Sequence, residues 1–374
     1  MTPLSPPGAI QPRKRRRWGR VVLVIFFAGI GVLGWRDFTW RRAVSQLRKA
    51  GITTDSQVAW IGARLWEIAR NDWRELFKAS TWAVQPCKWK MDIAKAHQLR
   101  NLDSIAPALR RVNLKELSLH WCKSLQNVDA LRGLTALEAL DLSDCSALQN
   151  VNGLKGLTSI TSVDLSDCSA LQNVDGFNGL TTLSYLDLTS CYELQNLDGL
   201  KGLTALRHLE APVCEALRNV DGLKGLTAIE GLNLSECHAL QNVDGLQGLT
   251  SLQTLDLSWC SQLQNVDGLK GLTSVHALGL GYCEALRNVD GLKGLTALDN
   301  LNLSNCRALQ NVDGLNGLTS IRELGLSDCP ALESVEVLKG LTSLREVELR
   351  GCTNLSPEEV AALKAALPNK IIGP

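Results

Sequence analysis

LEALDLSDCSALQNVNGLKGLTS, residues 137–159, is the stretch from which the fold is read. Its first part alternates: Leu140 and Leu142 fall on one face of an extended segment, and Ala139, Asp141 and Ser143 on the other. The step then changes. Leu148, Val151, Leu154 and Leu157 lie three apart, the spacing of a return through a 3₁₀ or short helical segment. Such a unit has one apolar side and cannot bury its leucines alone, so neighbouring units must stack.

The rest of the chain supplies the neighbours. Cysteines stand at Cys122, Cys145, Cys168, Cys191, Cys214, Cys237, Cys260, Cys283, Cys306, Cys329 and Cys352, every interval being 23; only Cys87 lies outside the series. Eleven units therefore begin at Leu114, Leu137, Ile160, Leu183, Leu206, Ile229, Leu252, Val275, Leu298, Ile321 and Leu344. Their consensus is L-x-x-L-x-L-x-x-C-x-x-L-x-x-V-x-x-L-x-x-L-x-x, and Gly occupies position twenty from Gly133 to Gly340, as a turn with positive φ or a close backbone approach would require. A fixed period in this range marks a solenoid or repeat array.

L-x-x-L-x-L-x-x-C resembles the leucine-rich-repeat signature, in which the central L-x-L is a short strand and the ninth position is Asn or Cys. The match runs without a gap over residues 114–352. Cys at position nine followed by x-x-L resembles the repeats of plant disease-resistance receptors and of bacterial membrane and surface leucine-rich-repeat proteins; the internalin-like unit is one residue shorter. The resemblance implies an α/β solenoid. Parallel β-strands would line the concave face of an arc, with short helical or 3₁₀ segments on the convex face; the apolar run at 21–35 adds an N-terminal membrane helix ahead of it.

Both ends of the array read as caps. Leu99, Leu102 and Ile105 fall one period before Cys122, Leu125 and Val128, which predicts a half-unit over 99–113 ahead of the repeats at 114–355. Ser356-Pro357-Glu358-Glu359 is a helix start with Ser at the N-cap and Pro at N1, opening a capping helix and tail over 356–374.

The N-terminal part is chemically different. Residues 1–112 carry 21 basic and 7 acidic residues, a net +14, while the remainder carries 18 against 31, a net −13. Residues 1–20 read as a basic disordered tail with Arg13, Lys14, Arg15, Arg16, Arg17 and Arg20. The apolar run at 21–35 reads as a transmembrane signal anchor, N-terminus cytoplasmic and repeats outside, since the denser basic cluster lies directly before it. At about 1.5 Å per residue it falls short of the hydrocarbon core, and snorkelling of Arg20 and Arg36 would extend it. Two other readings stay open: a cleaved signal peptide, for which Val32-Leu33-Gly34 is a poor site, and a helix of a soluble protein. Residues 36–98 read as a juxtamembrane helical region, the helical pattern continuing to 112. The helix at Ser56–Ala79 would pack on the first repeat or lie on the bilayer.

No catalytic motif is present: there is no G-x-S-x-G, H-E-x-x-H or P-loop, and the five histidines lack metal-like spacing. The cysteine ladder fits no zinc motif and reads as a buried structural column. Two acidic rows recur. Position five holds Asp141, Asp164, Asp187, Glu210 and Asp256, either repeat filler or a row that recruits a basic partner. Position sixteen holds Asp129, Asp175, Asp198 and their equivalents, read as helix N-caps, with calcium the lesser reading. Departures from the consensus point to a ligand: His120, Trp121, Tyr185, His208, Trp259 and Tyr282, with Asp256 beside the last pair. The sequence thus predicts a non-enzymatic, membrane-anchored scaffold without cofactor or metal. It would bind a protein partner or surface polymer through its concave face, and no nucleic acid. An envelope spacer or a non-catalytic subunit of an enzyme complex is the alternative.

Overall fold

The computed structural model describes residues 89–92, 99–103, 106–110, 113–368 and 370–372. Within them runs one parallel sheet of thirteen strands in strict sequence order. Eleven of the strands belong to the eleven units, from Leu114–Ser118 to Glu346–Glu348. Each later unit pairs at a 23-residue offset, as Ala139 with Ser162 and Leu140 with Val163. On the opposite side each of the first nine units makes a three-residue 3₁₀ turn, such as Asn152–Leu154 in the second. The tenth makes a longer one, Glu336–Gly340.

The apolar positions of the consensus form the core. In the second unit Leu137, Leu140, Leu142, Cys145, Leu148, Val151, Leu154 and Leu157 are all buried, each large side chain contributing about 1.5–3 kcal/mol. The buried column is continuous from Leu99 in the N-terminal half-unit to Leu367.

Two glycine columns set the coil. Gly at position twenty has φ between +81° and +88° from Gly133 to Gly317. Gly340 does not share it, because the 3₁₀ turn of the tenth unit runs on through that residue. Gly at position seventeen answers a different need: a Cβ on Gly222 would lie 1.8 Å from the Leu197 carbonyl oxygen of the preceding turn. The first unit, which follows the short helix Ala106–Leu109, carries Ala130 there.

The cysteine ladder has a hydrogen-bonding reason. Cys145 Sγ donates to the Leu119 carbonyl at 3.4 Å, and the same bond recurs in each later unit to Cys352 Sγ on Leu326 at 3.0 Å. The acceptor is the position-six carbonyl. It also takes the Cys N–H of its own unit, as Cys145 N donates to Leu142 at 3.2 Å. All eleven ladder cysteines are buried and none forms a disulfide. Burial pushes the thiols of Cys145, Cys168, Cys191, Cys260 and Cys283 well above the ordinary range, and that of Cys306 up to about 12.

The fifth unit corrects an expectation. Ala211 and Pro212 predict a break in the strand and a bend, yet pairing passes through His208–Glu210 on both sides without a shift. In units two, three, four, six, seven and nine the position-seven N–H serves the position-five side chain, not the neighbouring strand. Pro212 therefore gives up no ladder bond, and its carbonyl still accepts from Ser190 N at 2.9 Å.

The ends differ from the helical reading of 38–112. Among the described residues of that region Trp89–Asp92 is a strand (β1), parallel to Leu114–Ser118 (β2), and Ala106–Leu109 forms a short helix (α1). At the far end Pro357–Ala366 (α2) is capped by Ser356 Oγ, which accepts from Glu359 N at 3.1 Å. Val360, Leu363 and Leu367 are buried beneath it. The chain then adds a last strand, Ile371–Ile372, beside Glu346–Glu348. The proposed anchor at 21–35, the basic tail and the helix at 56–79 lie outside the described residues. Among the described residues no helix is long and apolar enough to cross a membrane.

Candidate binding edge of the sheet

The strand of each unit ends in a turn whose position-eight residue is left-handed in all eleven units. Its φ is 62° at Trp121, 65° at Trp259 and 61° at Tyr282. Its N–H donates to the position-seven carbonyl of the next unit, as Trp259 N does to Gly281 O at 2.7 Å. Left-handed backbone costs an L-residue about 1–2 kcal/mol, and Asn, Asp and Gly tolerate it best. Asp144, Asp167, Asn305, Asp328 and Gly351 follow that rule. Trp121, Val213, Trp259 and Tyr282 go against it, and a costly residue retained in a strained position is a pointer to function.

Trp259 and Tyr282 are not on the strands, where a simple alternating register puts them, but in the turns at the strands' C-terminal ends. Their rings stack with centroids 3.7 Å apart and planes 5° apart. Trp259 remains 46% exposed. Such a pair contributes about 0.5–1.5 kcal/mol beyond its buried area, which only partly offsets two strained residues.

Beside the pair the sheet is bare. Gly279 and Gly281 leave the eighth unit without side chains at positions five and seven, and Asp256 and Ser258 lean over the gap. A Cβ on Gly279 would meet Asp256 Oδ1 at 2.5 Å and Ser258 Oγ at 2.7 Å. Asp256 Oδ1 also accepts from Ser258 N at 2.9 Å. On the other side His238 Nδ1 lies 2.8 Å from the Trp259 carbonyl.

The position-five row has a structural task. Asp141 Oδ1 accepts from Ser143 N at 3.1 Å and Ser143 Oγ at 2.7 Å, and Asp164, Asp187 and Asn233 hold the same turn. Burial raises the Asp164 carboxyl above its ordinary range. Position sixteen is likewise not the N-cap. Asp129, Asp175 and their equivalents are the first 3₁₀ residues and cap nothing with their side chains. The Asn two residues earlier does the capping: Asn127 Oδ1 accepts from Asp129 N at 3.3 Å. The Asp side chain instead pairs one turn on, as Asp198 with Lys201 at 2.9 Å.

The remaining sequence-predicted residues form two separate groups. Tyr185 and His208 are direct partners on adjacent strands in units four and five. His120 and Trp121 lie in unit one, where Lys123 Nζ sits 4.7 Å over the Trp121 ring. The structure also gathers Ser118, His120 and Asp141, which sequence spacing does not reveal. Ser118 Oγ donates to Asp141 Oδ2 at 2.8 Å and lies 3.0 Å from His120 Nδ1. The hydroxyl proton goes to the carboxylate rather than to the imidazole, which reverses the polarity of a nucleophile–base pair.

Among the described residues no group of three His, Cys, Asp or Glu side chains is arranged to hold a metal. An open cavity of about 380 Å³ lies between the last unit and α2, lined by Leu355, Pro357, Val360 and Ala361 among others. It is at the end of the solenoid, away from the aromatic pair.

Solved structures with similar folds include an internalin from Listeria monocytogenes, 20% identical with a TM-score of 0.41, covering 73% of this chain and 92% of that one. A leucine-rich-repeat protein of Leptospira interrogans is 16% identical with a TM-score of 0.37, covering 76% and 90%. TLR13 in complex with ssRNA13 is 16% identical with a TM-score of 0.26, covering 71% and 57%. No curated protein sequence matches the chain. The model of the BspA-type leucine-rich-repeat region matches six copies over residues 98–209, 213–306 and 280–360. With the matched residues spanning the array from its half-unit cap into α2, the chain belongs to the BspA-type leucine-rich-repeat family.

Proposed function

We propose that this protein is a membrane-anchored, non-enzymatic scaffold that holds a protein partner against the concave side of its repeat arc. The contact centres on the C-terminal edge of the strands in units seven and eight. The observation that carries this reading is the stacked Trp259–Tyr282 pair, placed where the backbone favours Asn, Asp or Gly. Large exposed aromatics beside satisfied polar groups are the usual anchors of protein interfaces. Asp256 supplies a polar contact beside them. Tyr185 and His208 on one side, and His120 and Trp121 at the first unit, are secondary contacts for an elongated partner or a surface polymer.

The binding reading is tested by capture from the source cells with the full-length chain in mild detergent. The wild type is expected to retain a partner that the double variant Trp259→Asn with Tyr282→Asn loses. Equal capture by both would move the contact elsewhere, with the Tyr185–His208 group the next candidate.

The anchor reading rests on the apolar run at 21–35 behind its arginine cluster, with the N-terminus cytoplasmic and the repeats outside. Buried, undissociated thiols suit repeats in an oxidising compartment, because the thiolate is the reactive form. Full-length protein is expected to stay with membranes through carbonate extraction, and a chain truncated to begin at Asp37 to be released. Release of the intact chain by carbonate would remove the anchor.

A further inference from the structure

We infer that the Trp259 ring is a receptor for a cationic side chain, arginine or lysine, carried by a basic segment of the partner. This deepens the binding reading above and rests on it.

The rings of Trp259 and Tyr282 are parallel and one unit apart along the solenoid. Tyr282 therefore covers one face of the indole, and the other face looks back toward unit six. The same turn position in unit six is Glu236, itself left-handed at φ 60°. An aromatic face is negative at its centre and attracts a cation, more strongly when a carboxylate stands nearby.

The molecule already contains one such arrangement. At the first unit Trp121 occupies the same turn position, and Lys123, two residues on, places its ammonium 4.7 Å over the ring. At unit seven the residue two beyond Trp259 is Ser261, and at unit eight the residue two beyond Tyr282 is Glu284. The cation that unit one supplies to its own indole has no counterpart in the sequence at units seven and eight. Glu284 lies 3.7 Å from Arg307, which leaves Glu236 and Asp256 as the carboxylates beside the pair. The field of the region agrees: residues 113–374 carry a net −13, which draws a basic segment in before contact.

Fluorescein-labelled hexa-arginine, with hexa-citrulline as its neutral counterpart of similar shape, tests this by anisotropy on the full-length chain in a non-ionic detergent. Hexa-arginine should bind and hexa-citrulline should not. Trp259→Ala should weaken hexa-arginine at least tenfold and Glu236→Gln at least threefold. Trp259→Tyr, which keeps a ring, should stay within about threefold. Tyr192→Ala, which removes an exposed ring outside the binding edge, should change the affinity less than twofold. Binding of hexa-citrulline as tight as hexa-arginine would overturn the inference, as would a Trp259→Ala affinity within twofold of wild type. If the peptide result is negative while the Trp259→Asn, Tyr282→Asn variant still loses its partner, only the cation assignment falls. If capture also survives in that variant, the binding edge itself is wrong.

Discussion

Gly222→Ala is expected to cost the solenoid about 3 kcal/mol or more, the upper range for overpacking a closed site. A Cβ at Gly222 would lie 1.8 Å from the Leu197 carbonyl oxygen and 2.2 Å from its carbon. Both are backbone atoms of the preceding 3₁₀ turn, which no side-chain rotation can move. Relief requires the two coils to separate, and that strains the strand pairing and the leucine layers between them. Gly225→Ala, three residues on, is the contrast. Its surroundings are open, and only its φ of +84° resists a side chain, so a cost of about 1–2 kcal/mol is expected. Denaturant unfolding of the two variants checks the order. A Gly222→Ala chain as stable as wild type would mean that the coils are spaced more widely than the structure has them.

The second large effect is alkaline unfolding. Cys145, Cys168, Cys191, Cys260, Cys283 and Cys306 have thiol pKa values raised by burial in the folded chain. In the unfolded chain they titrate near about 8.5. A thiol whose folded pKa is raised stays protonated in the native state while the unfolded state loses its proton. Its contribution is intact below about pH 8.5 and falls as pH rises toward the folded value, which is about 12 for Cys306. Each such group costs about 1.4 kcal/mol per pH unit in that window, so six cost about 8 kcal/mol per unit. A domain's whole stability is about 5–15 kcal/mol. Circular dichroism should therefore show loss of the fold between about pH 9.5 and 11. The same window should see the ladder thiols become open to alkylation. A chain that keeps its native spectrum and unreactive thiols well above pH 11 would contradict this account of the ladder.

The sequence is most legible where one physical requirement repeats. Strand residues such as Leu140 and Leu142, return residues such as Leu148 and Val151, and the buried Cys column follow from periodicity. Each unit must hide the same side, and ten further copies average out local noise. The candidate edge is only half legible. Trp259 and Tyr282 stand out as departures from a small polar column, and one period makes them neighbours. Their backbone was misplaced because strand alternation was carried one residue too far. The signal was present in Asp144, Asp167, Asn305, Asp328 and Gly351, the residue types that tolerate a left-handed turn.

The role of Gly at position seventeen was also legible in principle. The exceptions are Ala130 in the first unit, which follows the helix Ala106–Leu109, and Val337 in the tenth, whose own turn is the longer Glu336–Gly340. The terminal strands Trp89–Asp92 and Ile371–Ile372 carry no repeat. They are selected by the open edges of the sheet, which a reading of local pattern does not register.

Trp259 and Tyr282 are proposed to serve a partner at some expense to the fold. The most direct test measures unfolding free energy and partner affinity on the same Trp259→Asn, Tyr282→Asn variant. Asparagine tolerates the left-handed turn, which offsets the loss of the ring stack, so stability should fall no more than about 1 kcal/mol below wild type. Affinity should fall by at least about 2 kcal/mol, the scale of an interface hot spot. A variant that loses several kcal/mol of stability would show the rings to be part of the core, and one that keeps its affinity would show that the partner binds elsewhere.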